Sequence, residues 1–177
     1  MRLNVRLMLH LPNLKVIEMN KVIVVMGVSG SGKTTIGRLL AEALGRPFFD
    51  ADDYHPTENI EKMNSGTPLT DEDRKPWLDR LNQLCLQHQT EGLVLACSAL
   101  KETYRTHIKG ANTEISWIYL KGSFDLIMKR MKQREHHYMP HTLLQSQFDI
   151  LEEPKKAFIL EIDQEPALMV DKIMAHL

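Results

Sequence analysis

"KVIVVMGVSGSGKTTIGRLLAEALG", residues 21–45, carries three signals in one line. Residues 21–26 form a short β-branched apolar run, the composition of a strand buried on both faces of a parallel sheet. Residues 27–34, "GVSGSGKT", match G-x-x-x-x-G-K-[ST] at every fixed position. The following "TTIGRLLAEALG" places Ile36, Leu39, Leu40, Ala43 and Leu44 on one side of a helix, with Gly45 as its C-terminal stop and Pro47 beyond. A strand, a glycine-rich turn and a helix in that order predict a phosphate cradle. Glycines let backbone N–H groups converge where a side chain would block a polyphosphate, and the helix N-terminus adds partial positive charge. Gly27, Val28, Ser29, Gly30, Ser31, Gly32, Lys33, Thr34 and Thr35 are the predicted contacts for a nucleoside triphosphate. Lys33 reaches the β- and γ-phosphates and the Thr34 hydroxyl ligates Mg²⁺.

The next apolar run ends in "FFDADDYHP", residues 48–56. Carboxylates this close repel unless a cation or hydrogen-bond donors hold them. In a doubly wound sheet the C-terminal strand ends meet at the ligand crevice, so this second strand end faces the phosphates bound after the first. If the chain stays extended, alternation puts Asp50 and Asp52 on one side and turns Asp53 away. The expected division gives Asp50 to the metal and Asp52 to the proton of an attacking hydroxyl. No aspartate ends "LVLAC" (93–97), where many P-loop ATPases carry their metal acid; "SALKETYR" follows instead. That points away from motor-type ATPases and towards small kinases.

The remaining pattern alternates. Strands are expected at 93–97, 115–120 and in "AFILEI", and helices in "NIEKMNSG", near 101–109, in "SFDLIMKRMKQRE", in "HTLLQSQFDILEE" and in "EPALMVDKIMAHL". For the helix in "TPLTDEDRKPWLDRLNQLCLQHQ", Thr70 with Asp73 resembles a capping box, but that start leaves Pro76 well inside; a start capped by Asp73 puts Pro76 in the tolerant first turn and is favoured. The fold class expected is α/β: a three-layer P-loop kinase fold with a central, mostly five-stranded parallel sheet, helices on both faces and a helical lid. The chain reads as an N-terminal extension over 1–20, expected to be flexible, and one kinase domain over 21–177 with a lid around 130–142.

The 177 residues are 43% apolar and 25% charged with a net charge of -1, so no overall basic field draws them to nucleic acid or membrane. No apolar run approaches the roughly 20 residues of a bilayer span. The opening residues are interrupted by Asn4, Arg6, His10 and Pro12 and lack a small-residue cleavage site, against a signal peptide. Cys85 and Cys97 have no metal-type spacing and read as packing residues in a reducing, cytoplasmic setting. His136, His137 and His141 offer three imidazoles, but no cysteine lies near, and a polar lid tip is the preferred reading.

"MGVSGSGKTT", "FFDADDYHP", "NIEKMNSGTPLTDEDRKPWL", "CSALKETYR", "IYLKGSFDLI", "HHYMP" and "LLQSQFDILEEP" stand in the order seen in gluconokinases of the short P-loop type, and the chain resembles them from about Val22 to its C-terminus. The resemblance implies a shikimate-kinase-like or nucleoside-monophosphate-kinase-like fold. It also implies ATP- and Mg²⁺-dependent phosphorylation of D-gluconate at its 6-hydroxyl, and a homodimer. It places Asp52, His55, Arg74, Lys101, Arg105 and Gln147 around the sugar acid, and Arg130 and Arg134 in a lid over the phosphates. Lys33, Asp52 and Arg134 are then the expected catalytic set, with Arg134 the first candidate to stabilise the moving phosphoryl group. Alternatives are a related small kinase for another polyol acid, shikimate or a nucleoside monophosphate, or a nucleotide-gated binding module with no acceptor.

Overall fold

The computed structural model describes residues 22–111, 113–133 and 141–177. Readings that fall on the N-terminal extension, on Arg134, His136 and His137, or on the His141 side chain lie outside the described residues.

β1 (Val22–Met26) is followed by α1 (Lys33–Leu44), β2 (Phe48–Asp50), a 3₁₀ turn (Ala51–Tyr54), α2 (Thr57–Asn64) and α3 (Asp71–Gln87). Then come β3 (Leu93–Cys97), α4 (Glu102–Lys109), β4 (Ile115–Lys121), α5 (Phe124–Lys132), α6 (His141–Ile150), β5 (Phe158–Glu161) and α7 (Pro166–His176). The five strands form one parallel sheet in the order β2-β3-β1-β4-β5. Every residue of β1 is buried, as its unbroken apolar run requires of a central strand. Alternation along β1 splits the core in two. Ile23 and Val25 face a cluster with Ile36, Leu40, Ile127, Leu144 and Ile173, contributed by α1, α5, α6 and α7. Val22, Val24 and Met26 face Trp77, Leu81, Tyr104 and Ile108 from α3 and α4. The three layers follow from that alternation.

Cys85 and Cys97 are both buried and unpaired with each other, and burial pushes the Cys85 thiol up to about 12 and the Cys97 thiol well above its ordinary value. No helix among the described residues is long and apolar enough to cross a membrane.

Two local expectations are corrected. α3 starts at Asp71, capped by Thr70, not by Asp73. The Asp73 amide donates to Thr70 Oγ1 at 3.2 Å and the Thr70 amide donates to Asp73 Oδ2 at 2.9 Å, a reciprocal box that satisfies two helix-end donors. Asp71, Glu72 and Asp73 also set three carboxylates against the positive end of the helix dipole. Pro76 is therefore interior, at the cost of one backbone hydrogen bond on an exposed face. The acidic segment after β2 likewise does not stay extended. It winds into the 3₁₀ turn, with Asp50 as its cap accepting from the Asp52 amide at 3.2 Å.

Candidate active site

The parallel sheet brings the C-terminal ends of β1, β2 and β3 side by side, and the polar groups gather there. In the loop after β1, Gly27, Gly30 and Gly32 all have positive φ. At Gly30 a Cβ would also meet Met131 Cγ at 2.9 Å and Ile127 Cγ2 at 3.0 Å, so this turn requires glycine for both conformation and the close approach of α5. The Gly27 amide donates to the Ser98 carbonyl at 3.4 Å, tying the start of the loop to the tip of β3. Lys33 Nζ donates to the Val28 carbonyl at 3.0 Å, folded over the loop it belongs to.

Thr34 Oγ1 donates to Asp50 Oδ2 at 2.8 Å. The first turn of α1 and the end of β2 thus place two hard oxygen donors together, the kit a magnesium ion takes. Asp52 lies beyond them within the field of Lys33. It is open at its mouth but crowded on its other sides, and this loss of hydration raises its pKa; Lys33 opposes the rise while Asp50 and Asp53 add to it. Asp50, Asp52, Lys33 and Thr34 are therefore brought together as expected from the motifs.

A second group of polar residues is built around α3. Trp77 Nε1 donates to the Ala51 carbonyl at 2.7 Å, and the Trp77 ring stacks on His55 with centroids 4.5 Å apart and planes 10° apart. Burial first, then Arg74 and Arg80, lower the His55 pKa to about 4, so the ring is neutral near pH 7. Arg74 donates to the Leu69 and Thr70 carbonyls and lies over the Tyr104 ring, 5.5 Å from its centroid. Lys101 Nζ reaches both Asp71 oxygens at 2.8 Å and lies 5.5 Å from the centroid of the same Tyr104 ring. Tyr104 Oη donates to Asp71 Oδ1. The Lys101 ammonium, then the Tyr104 hydroxyl, hold the Asp71 carboxyl below its usual range, while Asp71 raises Lys101 in return. Arg74 acts electrostatically on His55 and shares the Tyr104 ring with Lys101, which brings the three residues into one neighbourhood.

Arg105 and Gln147 spend their hydrogen bonds on the protein itself. The Arg105 guanidinium is buried and donates to the carbonyls of Ala99 and Leu100 and to Glu102. Ala99 is the one non-glycine with positive φ among the described residues, so Arg105 braces the strained turn that leads from β3 to Lys101. Gln147 on α6 clasps the phosphate loop: the Ser29 amide donates to Gln147 Oε1 at 2.7 Å and Gln147 Nε2 donates to Ser29 Oγ at 3.0 Å.

Comparison with known proteins shows the family. The Shikimate kinase family model matches residues 29–175. A probable gluconokinase of Xenopus tropicalis is 42% identical over 172 residues, spanning 86% of this chain and 90% of its own. The thermoresistant gluconokinase of Escherichia coli (strain K12) is 44% identical over 147 residues, spanning 80% and 84%. This chain belongs to the gluconokinase family. The crystal structure of a gluconokinase from Sinorhizobium meliloti 1021 aligns at a TM-score of 0.81 and 41% identity, covering 88% of this chain and 90% of that one.

In this gluconokinase-family chain the structure joins residues of the predicted phosphate loop to others outside the predicted site. A cleft of about 380 Å³ runs beside the phosphate loop between α5 and the β5–α7 connection, lined by Ser31, Thr35, Arg130, Gln164, Pro166 and Met169 among others. Arg130, expected in the lid, donates to the Ile162 carbonyl and forms one wall of it. The Ser31 hydroxyl is buried and has no partner among the described residues, which suits a polar ligand in the loop. A larger cleft of about 720 Å³ on the outer side of β2 mixes Arg38 and Arg46 with Glu42, Asp50 and Asp53 and offers no ring of backbone donors. Asp71, Tyr104, Trp77 and Asn59 are the other additions. Asn59 meets His55 four residues away, but the partners that tie these residues across the fold, Asp73, Ala51 and Asp71, lie 14 to 33 residues away in sequence.

Proposed function

We propose that this protein transfers the γ-phosphoryl group of ATP to the 6-hydroxyl of D-gluconate, giving 6-phospho-D-gluconate and ADP. One observation carries the reading: Asp52 lies in the field of Lys33, two residues after the Asp50 that pairs with Thr34, and its carbonyl accepts from the His55 amide at 3.4 Å. A nucleotide-binding switch needs no second polar pocket at this point. The membership in the gluconokinase family supports the choice of sugar acid.

In this reading the loop 27–35 grips the triphosphate through backbone N–H groups and Lys33. The adenine lies in the cleft between Arg130 and the Gln164–Pro166 connection. Thr34 and Asp50 would hold Mg²⁺, which when bound would supply positive charge to the phosphates. Arg74 and Lys101 meet the gluconate carboxylate, and the hydroxyl chain runs past His55 towards Asp52. Asp52 accepts the proton of the 6-hydroxyl as its oxygen bonds to the γ-phosphorus and the bond to the β-phosphate oxygen breaks. A carboxylate with a raised pKa is a better proton acceptor than an ordinary one, provided it is still ionised near pH 7. Arg134 would stabilise the transferring group once the lid closes, and closure would exclude the water that competes with the acceptor. Gln147, through Ser29, couples α6 to the loop that closure must cover.

An acceptor panel tests the assignment. ADP release with gluconate and ATP should far exceed that with shikimate, AMP or isomers of gluconate. A folded, ATP-binding preparation that releases no ADP in response to gluconate rejects it.

A further inference from the structure

Asn59 is a polar residue that is 3% exposed, on a short helix whose neighbours are mostly open to water. Burying a carboxamide is costly unless its hydrogen bonds are met, and both of its N–H groups are placed. Nδ2 donates to the Asp73 carbonyl on α3 at 2.8 Å and lies 3.3 Å from His55 Nδ1. The first contact fixes the amide orientation, because a flipped group would set its oxygen against the Asp73 carbonyl oxygen. The second hydrogen of the same nitrogen then points at His55 Nδ1, which can only accept. A neutral imidazole that accepts at Nδ1 carries its proton at Nε2.

The surroundings hold that form in place. The His55 ring is sandwiched on Trp77, its own backbone amide donates to the Asp52 carbonyl at 3.4 Å, and Arg74 and Arg80 from α3 disfavour any added positive charge. The remaining charges nearby are accounted for: Asp73 is paired with Lys62 at 2.6 Å, and Arg80 donates to the Tyr54 carbonyl. Among the described residues no hydrogen bond reaches His55 Nε2, and Nε2 is not among their sealed, unpartnered atoms.

We infer that Asn59 is a positioning residue that locks His55 as an Nε2–H donor, so that the ring offers the acceptor substrate a donor and never an acceptor. The part concerning substrate rests on the gluconate reading above. The consequence is chemical: His55 selects an oxygen with a free lone pair, a hydroxyl or carboxylate of the sugar acid, and takes no part in proton transfer. Proton acceptance then falls to Asp52 and not to His55.

The test uses the full chain labelled with ¹⁵N-histidine, with the His55 signals identified by their loss in His55→Gln. Long-range ¹H–¹⁵N spectra at pH 7 should show His55 protonated at Nε2 in the wild type. In Asn59→Leu, which keeps the branched heavy-atom shape and removes both donors, the ring should move towards the Nδ1–H form, and KM for gluconate should rise about tenfold with KM for ATP unchanged. A wild-type ring protonated at Nδ1 overturns the inference, as does an Nε2–H ring that persists in Asn59→Leu, whatever happens to KM. If Asn59→Leu does not fold, the His55 pair decides. Gln presents an amide nitrogen near the Nε2 position and Asn near the Nδ1 position, so His55→Gln should retain gluconate affinity about tenfold better than His55→Asn; equal loss overturns the inference. A wild type that ignores gluconate removes the substrate reading, while the ring signals still decide the role of Asn59.

Discussion

Replacing Trp77 by Phe isolates one hydrogen bond at the heart of the site. Phe keeps an aromatic face for His55 but removes the indole N–H that the Ala51 carbonyl accepts at 2.7 Å. Both residues are sealed from solvent, at 1% and 0% exposure, so water cannot replace the donor. Losing a buried hydrogen bond costs about 0.5–1.5 kcal/mol net, rising to about 1–3 kcal/mol where the acceptor is left unsatisfied. The missing ring adds a cavity between α3 and the sheet, a fraction of the roughly 3–5 kcal/mol that full truncation of a large aromatic costs. A total of about 2–4 kcal/mol is expected in urea unfolding. A domain of ordinary stability survives that loss and can be assayed folded.

The catalytic consequence is the sharper one. Ala51 directly precedes Asp52, so a carbonyl released from α3 lets the 3₁₀ turn drift. A misplacement of about 1 Å can cost on the order of 10²-fold in rate. Turnover should fall by about that factor while KM for ATP stays close to wild type, because the phosphate loop is anchored through β1 and α1 and does not touch Trp77. Steady-state kinetics at a temperature well below the unfolding midpoint separate the two effects. Wild-type turnover in a variant destabilised by more than about 1 kcal/mol would show that Asp52 does not depend on this bond, and the account of α3 as the positioning helix would fall.

Three further outcomes are expected. Asp52→Asn should lower turnover by about 10²–10⁴-fold and yet raise the unfolding midpoint near pH 7; because folding raises the Asp52 pKa, its ionised form opposes folding at neutral pH, and the gain should vanish as the pH falls into the ordinary carboxylate range. His55 works with the opposite proton balance: its folded pKa of about 4 lies below the ordinary 6.5, so stability should fall as the pH drops between those values, by about 3 kcal/mol at most, and His55→Gln should flatten that part of the profile in pH-dependent urea titrations. Gly30→Ala should cost about 1–2 kcal/mol from the left-handed backbone alone, and its methyl group should push Met131 and Ile127 away, raising KM for ATP in the same assay that leaves gluconate binding untouched.

The donor half of the site was legible because its chemistry is local. The phosphate loop, Lys33, Thr34 and the Asp50–Asp52 pair lie within 26 residues, on elements whose order dictates that strand ends converge. The acceptor half depends on contacts across the fold. Nothing near Tyr104 announces that its hydroxyl will meet Asp71, and the start of α3 hinged on a choice between a capping box and the burial of Pro76 in a helix. The box prevails because it satisfies two backbone donors where the proline forfeits one. That choice sets the register by which Asp71 meets Lys101 and Tyr104. Arg105 shows the limit in another form: the residue type suits an anionic substrate, but the positive φ of Ala99 makes a demand for carbonyl support that only the folded chain reveals.

Asp52 is the point where the two halves are keyed together. Its predecessor Ala51 is fixed by Trp77 on α3, and Asp50 is fixed by Thr34 on α1. The Asp52 amide is itself bound to Asp50 Oδ1, so the backbone of this aspartate is held from both sides while its carboxylate is held by neither. A carboxylate fastened by several donors would have a lowered pKa and little tendency to take a proton. Here the restraint falls on the main chain and the loss of water falls on the side chain, and this division gives an aspartate fixed in place yet raised in basicity. The turn from strand to 3₁₀ helix after Asp50 produces that division, since an extended segment would carry Asp52 past the Asp50 cap and leave its amide without this partner.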